Sequence, residues 1–367
     1  MRMNFDFTHP SISIKAFERP VDRLDHFLPN PIRGLRGSVK YPSESDKSVR
    51  KGKGMKKTIR LTSGISAIAV IIGWTVTMVV SASTQTGGDK RVATPVEHSA
   101  TPKGVRVFYA SHSLMWYVPK PLGELAEATG IEGHKLVGLQ SLGASTTLQH
   151  WNLADDNNEA KKALRTGDVD VFVMSPISFP DEGIENFVKL GLEHNPNLRF
   201  VVQLSWGGGD IDNQDFPKGA FDNVDKEKTP EQLKAYNVRN IKAGEAQADD
   251  INKRYGHGKK ILALVPSVQA MVTLRTKIAN KTWLGLTKQG ELFVDAVHPS
   301  APLEALNTFM HFAVIYGKSP VGLPMPAMLK NARHEAWNEQ FNRSLQELAW
   351  ETVTNYRYSL VTAAKEK

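Results

Sequence analysis

Cysteine is absent from all 367 residues, so the chain can build neither a disulfide framework nor a thiolate metal site. Histidines at the His-x-x-x-His spacing of a helix-borne zinc site are also missing, which argues against a zinc hydrolase. No internal repeat is visible. The net charge of +8 is itself missing from most of the chain. Residues 1–60 carry 14 Lys and Arg against 6 Asp and Glu, and the remainder carries 32 of each. A neutral globular part offers no basic face for phosphates, so nucleic acid is not an expected partner.

Residues 1–54 are polar, rich in Pro, Gly, Ser and Arg, and show no sustained apolar period. They are read as a disordered extension or as a stretch upstream of the true start. The character changes at Met55. Met55-Lys56-Lys57-Thr58-Ile59-Arg60 is a short basic opening, Leu61 to Val80 is uncharged and largely apolar, and Ser81-Ala82 adds small residues. Residues 55–82 thus have the three parts of a signal peptide. The same run is long enough to act as a signal anchor. The Thr, Ser and Gly within it and the small residues after it favour cleavage. Either way the rest of the chain is expected outside the cytoplasm, periplasmic or secreted, touching a membrane only through this segment. Residues 83–103 read as a linker, leaving residues 104–367 as the folded domain.

From Val105 onward, short apolar runs alternate with helical patterns. Strands are expected at Val105–Ala110, Lys135–Gln140, Val169–Met174, Arg199–Leu204 and Lys260–Val265. Helices are expected at Tyr117–Thr129, Leu148–Leu164, Gly183–Glu193, Pro230–Tyr255, Val268–Ile278, Ala301–Tyr316 and Arg333–Ser359. Strands alternating with crossover helices predict a five-stranded parallel sheet in a three-layer α/β/α sandwich. The last three strands are almost continuously apolar, as a sheet buried on both faces requires.

In such sheets reactive groups gather at the carboxyl ends of the strands. Asp295 and His298 follow the apolar run Leu292-Phe293-Val294, and the Asp can hold the His tautomer while the His acts as a base. The competing reading has Asp295 as a helix cap and His298 as a surface residue. Ser113, just past the first strand, supplies a nucleophile. Gly143, in Gln140-Ser141-Leu142-Gly143-Ala144-Ser145-Thr146, follows the second strand, where a Gly by itself reads as a turn residue free to adopt unusual dihedrals. Trp206-Gly207-Gly208-Gly209-Asp210 opens a loop in which Trp206 could stack on a sugar and Asp210 bind its hydroxyls. That loop is no EF-hand, because Asp215 stands where the sixth-position Gly is required. His134 and His150 read as helix-borne packing or surface residues.

An early Ser and a late Asp-x-x-His, in this chain order, resemble the SGNH (GDSL-type) hydrolases over roughly residues 105–325. Val314-Ile315-Tyr316-Gly317-Lys318-Ser319-Pro320-Val321-Gly322 adds to the likeness with a secreted subgroup. The resemblance implies a flavodoxin-like sandwich with a Ser113–His298–Asp295 triad and an oxyanion hole from the N–H groups of Ser113 and Gly143. Two departures stand out. Ser111-His112-Ser113-Leu114 replaces the family's Gly-Asp-Ser sequence, which puts His112 beside the substrate. After the third strand, Met174-Ser175-Pro176-Ile177-Ser178 lacks the family's oxyanion Asn. Ser175 is the first candidate to replace it, with Gln140 and Gln203 as others. The implied function is an exported serine hydrolase, without metal or cofactor, cleaving an ester such as an acyl or acetyl ester on a carbohydrate. The alternative is a non-catalytic ligand-binding protein on a degenerate scaffold of the same type.

Overall fold

The computed structural model describes residues 102–206, 228–295 and 297–362. The expected extension, the signal segment, the linker up to residue 101, and Gly207, Gly208, Gly209 and Asp210 lie outside the described residues. Among the described residues no helix is long and apolar enough to cross a membrane. All of them belong to one compact unit, Lys90–Lys367.

The sheet contains β1 (Arg106–Ser111), β2 (Lys135–Ser141), β3 (Val171–Met174), β4 (Arg199–Gln203) and β5 (Leu262–Val265), all parallel, in the order β2-β1-β3-β4-β5. The helices are α1 (Pro119–Ala128), α2 (Thr147–Trp151), α3 (Glu159–Arg165), α4 (Glu182–His194), α5 (Pro230–Tyr255), α6 (Ser267–Ala279), α7 (Ala301–Tyr316), α8 (Ala327–Ala332) and α9 (Glu339–Thr354). This is the α/β fold with a five-stranded parallel sheet flanked by helices that the alternation predicts. Every residue of β3 and β5 is buried, which explains why those strands read as continuous apolar runs.

Two expected helices are broken. The stretch 148–164 divides into α2, a 3₁₀ turn at Asp155–Asn157, and α3. Asn158 causes the break: its carboxamide oxygen caps α3 at the Lys161 N–H, while its NH₂ donates to the carbonyls of His150 and Trp151 at the end of α2. A side chain that ends one helix and starts the next interrupts the apolar period without abolishing it. The stretch 333–359 likewise resolves into an αL residue at Arg333, then α9 capped by Asn338, and a 3₁₀ turn at Arg357–Ser359.

The core is assembled around aromatic rings and α7. Phe172 stacks on Phe108 at 5.5 Å and touches Phe187 at 5.1 Å between ring centres. Phe108 reaches β2 where there is no side chain: a Cβ on Gly138 would lie 2.4 Å from the Phe108 ring. Only glycine lets the two strands meet there. All of α7 except Ala301 and Glu304 is buried, because α1, α6, α8 and α9 pack around it.

One buried carboxylate ties two helix starts together. Asp181 accepts the N–H groups of Thr147 and Leu148 at 2.5 and 2.9 Å, and that of Gly183 at 2.9 Å. The helix starts are so close that a Cβ on Gly183 would lie 2.2 Å from the Thr147 carbonyl carbon. Gly183→Ala is therefore expected to destabilise the fold by about 1–3 kcal/mol through overpacking, measured as a lower urea midpoint at unchanged slope.

From β1 the chain first steps to β2 on one side and later returns to β3 on the other, so the direction of winding reverses between β1 and β3. In open parallel sheets that crevice, at the carboxyl ends of the strands, is where ligands bind.

Candidate active site

Ser113 lies two residues past β1 in a turn folded around the His112 carbonyl. That carbonyl accepts the N–H groups of Met115 and Trp116 at 3.0 and 3.1 Å. Leu142, one residue past β2, donates its N–H to the Ser111 carbonyl at 3.0 Å, so the turns carrying Ser113 and Gly143 start side by side. Among the described residues neither the Ser113 N–H nor the Gly143 N–H has a protein acceptor. Gly143 is exposed, with nothing within 4 Å of where a Cβ would stand. Both donors are thus free to meet an oxyanion.

The third component arrives from the loop before α7. Asp295 accepts the N–H groups of Val297 and His298 on one carboxylate oxygen, at 2.9 and 2.8 Å. The Val294 N–H donates to the His298 carbonyl at 3.0 Å, and Phe293 bridges Pro299, closing the loop on itself. The other Asp295 oxygen lies 2.6 Å from His298 Nδ1, and His298 Nε2 lies 2.9 Å from Ser113 Oγ. The carboxylate can only accept, so Nδ1 carries the proton and Nε2 faces the serine hydroxyl as acceptor. Asp295 does not cap α7: Ser300 holds that position. Burial alone would raise the Asp295 carboxyl, but the His298 and Val297 N–H groups and the His298 ring outweigh it and hold its pKa below the ordinary value. It therefore stays ionised at neutral pH, as a group that orients an imidazole must. His298 keeps 39% of its side chain exposed, within reach of a substrate.

The structure corrects several of the residues expected at the site. Ser175 is only 1% exposed; its N–H donates to the Ala110 carbonyl and its hydroxyl lies between His112 Nε2 and Ser205 Oγ, at 2.7 and 3.5 Å, so neither donor stands at an open surface in place of the missing Asn. Gln203 is committed as well, to Leu114, Ser205, Asn307 and His311. Gln140 turns away toward His150 and the Ala160 N–H. His112 is only 1% exposed and is bonded within the turn that carries Ser113, so it presents no open face for a substrate. Trp206 is 2% exposed and is no stacking platform; its indole N–H donates to the Val297 carbonyl at 2.8 Å and props the Asp295–His298 loop. Asp210 lies outside the described residues. Trp206→Phe removes that donor and keeps most of the apolar body. It is expected to cost about 1 kcal/mol of stability, read by urea denaturation, and to loosen the His298 loop, read as faster amide exchange at Val297.

Three further side chains have surroundings that the sequence pattern did not place. Trp116, three positions past Ser113, is 51% exposed and had only its proximity to the nucleophile to mark it. Of the two readings open for His150, packing holds: it lies on α2 and is buried, with its ring bonded to Gln140 and Ser145, partners that the sequence did not mark. His134 is half-buried in the loop before β2, not on a helix, and meets the Tyr316 hydroxyl at 2.5 Å. Among the described residues no group of three or more His, Asp or Glu side chains is placed to hold a metal ion.

No family model matches the chain, and no curated protein sequence matches it. A solved structure of WcbI, described as a novel polysaccharide biosynthesis enzyme, aligns at 13% identity with a TM-score of 0.30, covering 70% of this chain and 97% of that one.

Proposed function

We propose that this protein is a serine ester hydrolase of SGNH type. The observation that carries the reading is the continuous path from the Ser113 hydroxyl through His298 to Asp295, at 2.9 and 2.6 Å. In the proposed reaction His298 Nε2 takes the Ser113 proton as Oγ attacks the ester carbonyl. The tetrahedral oxyanion is held by the N–H groups of Ser113 and Gly143. His298 then protonates the departing alcohol, and water hydrolyses the acyl-serine by the same route in reverse. Asp295 orients the ring and stabilises the imidazolium.

Among the described residues Ser175, Gln140 and Gln203 do not serve as a third oxyanion donor, and one missing donor typically lowers the rate by roughly 10²–10³. A slow enzyme is therefore expected. For the substrate we favour an acyl or acetyl ester on a carbohydrate. Trp116, three residues past Ser113, is an exposed aromatic side chain, and the signal-like segment 55–82 supports export to where acylated carbohydrates lie. The test is a panel of short-chain nitrophenyl esters and acylated sugars, with Ser113→Ala as the blank. Hydrolysis above that blank is expected. Binding of an acylated sugar without turnover would favour a ligand-binding protein, the reading supported by the engaged Ser175.

A further inference from the structure

Behind the turns that bear Ser113 and Gly143 lie two histidine rings, each 1% exposed, whose hydrogen bonds have a fixed direction. At His112 the direction follows from a backbone donor. The Leu114 N–H points at Nδ1 from 3.2 Å, so Nδ1 is unprotonated and Nε2–H donates to Ser175 Oγ at 2.7 Å. A side-chain acceptor taking the N–H two residues on is the geometry of an Asx turn, built here with imidazole. It sets the turn whose second residue is Ser113.

At His150 the direction is fixed one residue further back. The Ala160 N–H donates to Gln140 Oε1 at 3.0 Å, so the other end of that amide is its NH₂. That NH₂ donates to His150 Nδ1 at 3.0 Å, leaving Nε2–H to donate to Ser145 Oγ at 2.9 Å. The Ser145 hydroxyl then donates to the Leu142 carbonyl at 3.0 Å, across the turn that contains Gly143. Ala144, at φ +46° within that turn, is in the left-handed region, which costs a residue with a Cβ about 1 kcal/mol or more. Such a conformation persists only where its surroundings impose it, and the His150–Ser145–Leu142 path is that constraint.

We propose that His112 and His150 are positioning residues that aim the two backbone N–H groups of the oxyanion hole, one ring to each turn. The assignment rests on the hydrolase reading only for the use made of those N–H groups. Both rings must be neutral, because a second ring proton would set donor against donor at Leu114 and at Gln140. Burial holds both well below the ordinary histidine range, near 4.

The test uses the full chain and four variants, H112A, H112N, H150A and H150Q. The asparagine side chain of H112N can still accept the Leu114 N–H. The glutamine side chain of H150Q can both accept from Gln140 and donate to Ser145. With a nitrophenyl ester, kcat is expected to fall roughly 10- to 100-fold in each Ala variant with KM changed less than about 3-fold, since an oxyanion donor acts in the transition state. H112N and H150Q should recover most of that loss. The amide resonances of Ser113 and Gly143 provide a readout that needs no activity. They should shift in H112A and H150A respectively and return in H112N and H150Q. Ala variants that leave these resonances in place, or an active enzyme whose kcat they do not change, overturn the proposal. A wild-type protein with no turnover, but whose resonances move as expected, overturns the hydrolase reading and keeps the positioning role.

Discussion

Ser113→Ala is expected to lower kcat by roughly 10⁴-fold or more, and His298→Ala by a similar factor. The double variant should be little worse than either single one, because a nucleophile and its base act as one unit and their losses do not add. Neither change touches a helix or strand, so the urea midpoint should move little. Asp295→Asn separates orientation from architecture. The Asn carbonyl oxygen can keep the Val297 and His298 N–H bonds that close the loop. Its NH₂ would face Nδ1, force the ring proton onto Nε2 and leave the Ser113 hydroxyl without an acceptor, at a cost of about 10⁴ in kcat. Independent, multiplying losses in the Ser113 and His298 variants, measured on the same ester, would mean that the two residues do not act together.

The second large effect concerns acid. His112 and His150 are neutral in the fold at pKa values near 4 and His311 near 3, against 6.5 when solvated, with burial the leading cause in each case. His112 also faces His150 and His298, whose charges disfavour its own. The unfolded chain therefore binds more protons than the fold between pH 6.5 and about 4. Stability that is present above pH 6.5 is lost as the pH falls through that window. A histidine displaced by this much corresponds to about 3 kcal/mol. Two or three such rings together rival the ~5–15 kcal/mol that holds a typical domain. Asp181 and Glu304, raised by burial, act in the opposite sense as they take up protons. Asp170, Glu185 and Asp295, lowered mainly by their hydrogen-bond partners, add further loss only as the pH falls toward their own values. Urea titrations at several pH values from about 7 to 4.5 should show a steep fall in unfolding free energy, and the paired substitutions H112N and H150Q should flatten it. A constant free energy between about pH 7 and 5 would contradict this account of the buried rings.

Much of this was legible in the amino-acid order. β3 to β5 announced themselves as almost continuous apolar runs because all their residues except Arg199 are buried. The Ser113–His298–Asp295 contact was readable because an Asp and a His three positions apart form a closed loop from local bonds, and Ser113 sits just past the end of the first strand. What failed was side-chain direction. Trp206 looked like a stacking surface because the sequence does not show that its indole turns back to the Val297 carbonyl. Ser175 occupied the place of the missing Asn, but its hydroxyl was already claimed by a histidine 63 positions earlier. His150 had no local mark of burial, since its partner Gln140 lies across the β2–α2 turn. Asn158 broke a helix that its neighbours' apolar period supported, because one carboxamide could satisfy two helix ends at once. These are long-range or bidirectional hydrogen bonds, which periodicity cannot register.

Ser113 is the proposed nucleophile, activated by His298. A fluorophosphonate reacts with an activated serine and forms a stable adduct whose position can be read by peptide mass mapping. The account predicts a stoichiometric adduct on Ser113 in the wild-type chain, and none in His298→Ala under the same conditions. An unlabelled wild-type protein, or an adduct on another serine with Ser113 unmodified, would contradict it.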